Sequence, residues 1–503
     1  MYSPESRSPD LNWTNSFAAL PEDFYSRVTP TPFKTTPRMI HFNHAAAKLI
    51  GLDKHAAKEL ALLDMLSARY LPEGSDPVAM LYAGHQFGHF VPQLGDGRAI
   101  MLGEVTHATH GKWELQLKGS GLTPYSRDGD GRAVLRSTIR EYLCSEAMHG
   151  LGIPTTRALA MIGADDEVYR EKIETGAMLT RMAPSHVRFG SFEVFFYRNQ
   201  FAQIQILADY VIEHHYPELK QHADPYLALF GEVMQRTAHL IAQWQSVGFA
   251  HGVMNSDNMS ILGQTLDYGP FGFMESYQPG YICNHSDHHG RYAFDQQPQI
   301  GLFNLSCLAQ AMLPLFMDKG DDNPDKAVEK AKTVLDDYQA EYTQAYARLM
   351  RAKLGFREAM PEDQQLLQDL LNLMQQNQVD YTILFRALGA FRINDSHNHR
   401  LRDLFLDREG FDQWAQRYAE RLTRESSGDV ERRARMNNIN PKYILRNYLA
   451  EIAIRKAEDE RDYSEIDTLF KILQQPCEEW PEFEDYAGHP PEWAQQIAVS
   501  CSS

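Results

Sequence analysis

The sequence has few of the features that mark secreted, membrane or thiolate-metal proteins. Its five cysteines are scattered along 503 residues without a Cys-x-x-Cys pair, which excludes a disulfide framework and a zinc ribbon. By inspection, no apolar run comes near the roughly 20 residues that span a bilayer, and the N-terminus lacks the basic and apolar regions of a signal peptide. We therefore expect a cytoplasmic protein that binds no membrane.

Positive charge is also scarce. The 49 Lys and Arg residues are outnumbered by 67 Asp and Glu residues, which gives a net charge of −18. This balance argues against a general nucleic-acid binder, so we expect no nucleic-acid partner. With 43% hydrophobic residues the chain can bury a substantial core, which excludes a disordered or collagen-like protein. The charge favours solubility, and the sequence specifies no oligomeric state.

The texture of the sequence changes along the chain. Residues 81–195 contain short β-favouring runs punctuated by glycine, whereas residues 196–400 are mostly helical with a Gly-, Asp- and His-rich loop stretch. This order predicts an α+β protein with the two-lobe plan of protein kinases: a strand-rich N-lobe and a larger helical C-lobe that carries the catalytic and metal loop. We interpret residues 1–80 as an N-terminal extension packing on the lobes, and residues 401–503 as a helical extension with an acidic tail.

Two glycine-rich turns are candidates for phosphate binding. In the first, Gly95 and Gly97 allow backbone N–H groups to approach a phosphate, and Arg98 adds a fork of donors. Taken alone, this turn is more typical of an ordinary hairpin. In the second, Asp130 and Gly131 lie at the mouth of a predicted helix, whose N-terminus attracts anions.

A lysine follows the first turn on a predicted strand. In WELQLKGSG, apolar and polar residues alternate, which predicts a half-buried strand with Lys118 on its more polar face. A lysine there is usually solvated, but a carboxylate from the next helix would hold it against phosphate oxygens, as in kinases. We choose Glu141 as this ion-pair partner, although periodicity alone also allows Glu146.

The strongest signal is HGVMNSDNMSILGQTLDYG, which begins at His251. Kinases use a loop of the form H-x-D-x-x-x-x-N, followed by a D-[FY]-G metal site. Alignment on the histidine places Asn258 on the metal-binding asparagine and Asp267 on the metal-binding aspartate. The position of the kinase catalytic aspartate holds Val253, which cannot accept a proton. Asp257 is therefore the obvious replacement base.

Together these segments resemble the selenoprotein O family of kinase-like protein adenylyltransferases. The resemblance extends over essentially the whole chain, and its motifs are QLGDGR, LQLKGSG, PYSRDGDGRAVLR, LTRMAPSHVRFGSFE, HGVMNSDNMSILGQTLDYGPFGFM and the terminal VSCSS.

The resemblance implies that ATP binds flipped relative to kinases, so that AMP is transferred to a Ser, Thr or Tyr hydroxyl of a protein substrate. It implies that Asp257 accepts the hydroxyl proton and that Asn258 and Asp267 bind Mg²⁺ or Mn²⁺. Arg181 and Arg188 would neutralise the buried terminal phosphate. The implied nucleotide-binding residues are Gly95, Gly97, Arg98, Lys118, Asp130, Gly131, Arg181, Arg188 and Asp267.

The resemblance also draws attention to two cysteines. Members of the family with selenocysteine carry it at the position of Cys501, and cysteine there is the usual bacterial form. Our hypothesis is a Cys283–Cys501 disulfide that pins the acidic tail across the active-site region and regulates activity. The alternative is a pair of unlinked thiols.

Three other functions remain open. The chain could be a conventional ATP-dependent phosphotransferase with Asp257 as a displaced base, a UMP transferase, or a catalytically silent nucleotide-binding regulator. The retention of Lys118, Asn258 and Asp267 together favours a catalyst, because a scaffold does not need all three.

Overall fold

The structure is a computed structural model that describes residues 11–318, 320, 323–395 and 398–499. Helices account for 48% and strands for 15% of the chain, and a large antiparallel sheet is present, in agreement with the predicted α+β class. The strands are β1 (Trp13–Thr14), β2 (Tyr25–Arg27), β3 (Arg38–Phe42), β4 (Val78–Met80), β5 (Gly84–Gln86), β6 (His89–Val91), β7 (Ala99–His107), β8 (Gly111–Lys118), β9 (Ala133–Val134), β10 (Arg157–Tyr169), β11 (Ile173–Ala183), β12 (Phe249–Ala250) and β13 (Gly272–Phe273).

The helices lie mostly in the second half of the chain. They are α1 (His44–Leu49), α2 (Leu60–Leu66), α3 (Leu135–Gly150), α4 (Gly190–Tyr197), α5 (Phe201–His215), α6 (Pro225–Ser246), α7 (Gln297–Phe316), α8 (Pro324–Asp336), α9 (Tyr338–Lys353), α10 (Asp363–Asn377), α11 (Tyr381–Leu388), α12 (His399–Arg402), α13 (Arg408–Leu422), α14 (Asp429–Ile439), α15 (Asn447–Arg455) and α16 (Ser464–Gln474).

Nine strands form one antiparallel sheet. Its order is β2-β4-β7-β8-β11-β10-β3, with β1 paired to β7 and β9 paired to β11. Four of these strands come from residues before 81, so this part of the chain contributes directly to the sheet. Gln116 on β8 lies opposite Arg181 on β11, and directly opposite residues project from the same face of a sheet. The sheet therefore brings polar residues of two central strands together.

Strand β8 differs from the half-buried strand that its alternation predicts. Leu115 and Leu117 are fully buried in the core on one face. The polar residues of the other face are also buried, and Lys118 is only 9% exposed. The prediction of a half-buried strand was wrong because the polar side chains are covered as well, paired with polar and charged residues of neighbouring elements.

A two-stranded ladder holds the loop that the sequence marks as catalytic. Phe249 of β12 pairs with Phe273 of β13, and Ala250 pairs with Gly272. The two ends of the loop formed by residues 251–271 are therefore held next to each other. Helix α3 packs against β10 and β11 of the sheet.

One stretch, Phe294–Phe316, is long and apolar enough to cross a membrane, so the expectation that no segment reaches this length was wrong. A core helix of a globular protein meets the same criteria, and 56% of the most apolar window is buried inside the protein. Leu305, Leu308 and Met312 of this stretch are fully buried in a hydrophobic cluster. We therefore assign α7 to the core.

Candidate active site

A cavity of about 640 Å³ contains most of the residues that the sequence predicts to be functional. The predicted residues that line it are Gly95, Gly97, Arg98, Lys118, Asp130, Gly131, Glu141, Arg181, Asp257, Asn258 and Asp267. Arg188 does not line the cavity but lies buried directly behind Asp267. The sheet, helix α3 and the loop at residues 251–271 thus converge on one cleft.

The first glycine-rich turn, between β6 and β7, is fixed by a buried carboxyl group. Oδ2 of Asp96 accepts from the backbone N–H of Met80 at 3.1 Å and from Nε2 of Gln116 at 3.0 Å. Gly95 has φ +143° and lies against the Tyr125 ring, where a Cβ atom would be 2.5 Å from Cγ of that ring. Glycine is therefore needed for both conformation and space, which keeps the backbone at the cleft wall.

The second glycine-rich turn is held by an arginine that also lines the cavity. Both Nη atoms of Arg170 donate to the Asp130 carboxylate, at 2.8 and 3.0 Å, and the carboxylate pKa is lowered chiefly by this arginine. Gly131 has φ +70°, and its carbonyl oxygen accepts from the N–H of Gly121. The sequence analysis predicted that this turn opens the helix directly. In the structure the short strand β9 lies between the turn and α3.

Lys118 forms a buried ion pair with Glu141 of helix α3. Burial lowers the lysine pKa, and the carboxylate opposes this shift. The other candidate, Glu146, lies one turn further along and binds Arg157 through two hydrogen bonds of 2.8 Å. Glu141 is thus the carboxylate that faces the cleft and pairs with Lys118.

Arg181 connects this ion pair to the loop. Its Nη1 contacts the carboxylate of Glu141 at 3.2 Å and also hydrogen-bonds to the carboxylate of Asp267. Its Nε donates to Gln116 at 3.0 Å. Arg181 is only 2% exposed, so a permanent positive charge lies at the buried side of the cleft.

The Asp267 carboxylate contacts three cationic side chains. It contacts Arg181, Arg188 at 2.7 Å and Lys118 at 3.6 Å. Burial raises the Asp267 pKa, but the two guanidinium groups outweigh it and hold the pKa well below the ordinary value. The carboxylate is therefore held in its ionised form. The Asp267 backbone is left-handed, with φ +59°, a conformation that non-glycine residues adopt at an energetic cost.

The loop that carries Asp257 and Asn258 is tied down by buried polar contacts. Nε2 of His251 donates to the Leu266 carbonyl oxygen at 3.0 Å. Nδ2 of Asn258 donates to the Val253 carbonyl oxygen at 3.0 Å. This bond uses the amide nitrogen and leaves the amide oxygen of Asn258 as an acceptor.

The Asp257 carboxyl group has the properties of a general base. It is 6% exposed, and burial raises its pKa to about 7, an effect that the Gln86 hydrogen bond partly offsets. Oδ2 accepts from Nε2 of Gln86 at 3.2 Å, while Oδ1 is buried without a hydrogen-bond partner among the described residues. A carboxyl group with a pKa near neutrality suits proton transfer.

The donor set fits a divalent cation with a preference for oxygen ligands. Asp267 supplies an ionised carboxylate and Asn258 supplies an amide oxygen, which are ligands that Mg²⁺ and Mn²⁺ accept. These two residues would hold the ion.

Comparison with known proteins identifies the chain. A family model described as "Protein adenylyltransferase SelO" matches residues 8–474. The chain belongs to the SelO family. Three relatives named protein nucleotidyltransferase YdiU come from Thioalkalivibrio sulfidiphilus (56% identical), Myxococcus xanthus (54%) and Vibrio parahaemolyticus (51%); each alignment covers 98% of this chain and 99% of the relative. The resemblance to the selenoprotein O family is confirmed, and the chain is a nucleotidyltransferase.

Sequence analysis of this SelO-family chain missed two glutamines. Gln116 orients Arg181, and Gln86 contacts Asp257. Gln116 could have been found, because residues two apart on a strand share a face and Lys118 follows it at that spacing. Gln86 gives no comparable signal, since it is separated from Asp257 by 171 residues.

One of the two cysteines in the disulfide hypothesis is described. Cys283 is buried, and its Sγ lies 2.9 Å from the carbonyl oxygen of Pro270, just after the Asp-Tyr-Gly sequence. Nearby, the His285 N–H donates to the Val499 carbonyl oxygen at 2.8 Å. Cys501 lies outside the described residues, so the Cys283–Cys501 bond stays a prediction.

Proposed function

We propose that the chain transfers AMP from ATP to Ser, Thr or Tyr hydroxyl groups of proteins. The observation that carries the proposal is the burial of two arginines, Arg181 and Arg188, against Asp267 at the closed side of the cleft. Permanent cations there suit the terminal phosphate of ATP, because an anion buried without partners would be costly. The terminal phosphate would then face inward and the α-phosphate would face the acceptor.

The absence of a base at Val253 supports the same orientation. In a kinase, the carboxylate at that position receives the proton of the acceptor during γ-phosphoryl transfer. Here the buried carboxylate is Asp257, four residues further along the loop. A displaced base is what an attack on a different phosphorus atom requires.

The proposed reaction is an in-line displacement at the α-phosphorus. The acceptor oxygen forms a bond to this phosphorus while the bond to the oxygen that bridges the α- and β-phosphates breaks, and pyrophosphate leaves. The hydroxyl proton passes to the Asp257 carboxylate. Lys118, held by Glu141, and the two arginines position the phosphates, so orientation and electrostatics supply most of the acceleration. When bound between Asn258 and Asp267, Mg²⁺ or Mn²⁺ would offset negative charge on the phosphate oxygens.

The proposal also includes the division of the chain into lobes and extensions, its location and its partners. We propose a kinase-like plan in which residues 81–195 form the N-lobe and residues 196–400 the C-lobe. Residues 1–80 and 401–503 are then extensions of these lobes. A cytoplasmic location and protein substrates, without nucleic-acid or membrane partners, complete the proposal.

Redox control through Cys283 and Cys501 is a further part of the proposal. Thiol–disulfide exchange with oxidised glutathione would join the two sulfurs and release two reduced glutathione molecules. The Val499 contact beside His285 supports it, because it brings the chain to within two residues of each cysteine. Mass mapping of non-reduced peptides should find a Cys283–Cys501 cross-link after mild oxidation; finding neither cysteine cross-linked would exclude it.

Labelled ATP tests the central proposal. The protein is incubated with Mg²⁺, a mixture of synthetic peptides that contain Ser, Thr and Tyr, and ATP labelled at the α- or γ-phosphate. We expect label on peptide or protein only from the α-labelled ATP. Transfer of γ-label would indicate a kinase, and nucleotide binding without transfer would indicate a silent regulator. The Asp257→Ala variant should bind ATP but transfer little AMP.

A further inference from the structure

A small hairpin covers the proposed base. Strands β5 and β6 pair only with each other in the described residues, and the turn between them is formed by Phe87 and Gly88 with φ +50° and +83°. Two successive residues with positive φ are typical of a tight type I′ hairpin. Because an isolated two-stranded hairpin is only marginally stable in water, other contacts must hold it in place.

The catalytic loop supplies three of these contacts. The backbone N–H of His85 donates to Oγ of Ser256 at 2.7 Å, and Nε2 of Gln86 donates to the Asp257 carboxylate. The N–H of Phe87 donates to Oδ1 of Asn255 at 3.3 Å and to the Tyr292 hydroxyl at 2.8 Å, and that hydroxyl itself donates to Asn255 at 2.6 Å. Three consecutive hairpin residues are thus fastened to the loop that carries the base.

A hydrogen bond to a buried carboxyl group anchors the hairpin on its other side. Nδ1 of His85 lies 2.6 Å from Oε2 of Glu193 on helix α4, and the Glu193 side chain is completely buried. The rings of Phe90 and Phe303 lie against the His85 ring. His85 is therefore held on a helix of the core, and Gln86 follows it directly in the chain.

The hairpin also limits the space around the base. A Cβ atom on Gly84 would lie 2.5 Å from Oδ1 of Asp257, so the Gly84 backbone packs directly against the carboxyl group. Gln86 holds the other carboxyl oxygen. The carboxyl plane of Asp257 is therefore defined by two residues of the hairpin, neither of which belongs to the predicted catalytic set.

We propose that Gln86 is a positioning residue for Asp257, held in place by the hairpin and its His85–Glu193 anchor. This inference rests on the proposed function of Asp257 as the base. An amide that donates to one carboxyl oxygen fixes the orientation of the group, and the Gly84 backbone closes the space beside the other oxygen. Gln86 thus keeps the base directed while the acceptor hydroxyl approaches.

Four variants test the proposal by the kcat of α-label transfer to the peptide mixture and by the Kd for ATP. Gln86→Ala removes the donor, so kcat should fall about tenfold or more, while the affinity for ATP stays the same. Gln86→Glu keeps the length of the side chain but replaces the donor with an acceptor, so kcat should fall at least as far. Gln86→Lys keeps a donor, so it should retain more of kcat than either of the other two. His89→Ala changes an exposed residue of the same hairpin and should leave both quantities unchanged.

The difference between Gln86→Lys and Gln86→Glu distinguishes positioning from a structural role, because mere loosening of the hairpin would lower kcat in both alike. If the unsubstituted protein transfers AMP and Gln86→Ala retains its kcat, this inference is wrong and the proposed function stands. Absence of α-label transfer by the unsubstituted protein would instead overturn the proposed function.

Discussion

Nη1 of Arg188 lies 2.7 Å from the Asp267 carboxylate and 2.9 Å from the main-chain carbonyl oxygen of Asp257. One buried guanidinium therefore links the proposed metal ligand to the backbone of the proposed base. Because Arg188 is only 1% exposed, it has little water to replace either contact. The positions of these two acidic residues thus depend on one another through a single side chain.

Replacing Asp267 should abolish activity and also destabilise the protein. Asp267→Ala leaves Arg181 and Arg188 without their shared carboxylate, and loss of one partner of a buried ion pair costs about 3–5 kcal/mol. Transfer of α-label should disappear, and thermal unfolding should occur at lower temperature. Asp128→Ala, at an exposed carboxylate in the loop before Gly131, should change neither. Measurable transfer by Asp267→Ala would contradict the metal-ligand assignment.

The two glutamates of α3 form a matched pair of variants. Both Glu141 and Glu146 are buried and paired with a cation, so Glu141→Gln and Glu146→Gln should each lower the free energy of unfolding. Only Glu141→Gln should weaken ATP binding, because only Glu141 holds Lys118 at the cleft. Titration with a fluorescent ATP analogue at 25 °C distinguishes them. Equal ATP affinities in the two variants would remove Glu141 from its proposed role.

The raised pKa of Asp257 predicts a pH dependence of activity. Burial raises this pKa from 3.8 to about 7, and a general base acts in its ionised form. Transfer should therefore rise with pH and level off above about pH 7. A rate that is flat between pH 5 and pH 8 would argue against Asp257 as the base.

The same shift predicts a pH dependence of stability. Below pH 3.8 the group is neutral in both folded and unfolded chains. As pH rises toward 7, the unfolded chain ionises while the folded protein resists, so this residue costs stability, on the order of 4 kcal/mol above pH 7. Asp257→Asn should therefore raise the free energy of unfolding in urea, more at pH 8 than at pH 5. A gain that is equal at both pH values would show that ionisation is not the cause.

The Gly131 turn should tolerate no side chain. Gly131 and Gly111 both have positive φ, +70° and +72°, but a Cβ atom on Gly131 would lie 2.1 Å from the Gly121 carbonyl carbon, whereas nothing lies within 4 Å at Gly111. Both alanine variants carry the left-handed strain. Gly131→Ala should cost about 1–3 kcal/mol more, because it also forces two backbones apart. Chemical denaturation of the two variants measures the difference, and equal costs would contradict the close approach.

Local spacing let the sequence predict much of the fold and of the cleft. The helix predicted to follow Asp130 and Gly131 is present as α3. The spacing from His251 to Asp267 identifies a loop whose ends are held together, and the two glycine-rich turns line the same cavity. These features are encoded within short stretches, where the periodicity of the backbone and the freedom of glycine decide the conformation.

The sequence by itself thus determined the α+β class, the family and the residue types that face the cleft. Only the tertiary structure decided that Glu141 rather than Glu146 meets Lys118, that the polar face of β8 is buried, and that Gln86 contacts Asp257. Those choices depend on how strands, helices and loops distant in sequence pack together. Alternation along a strand specifies which residues share a face, but the charged partners that cover that face come from elsewhere in the chain.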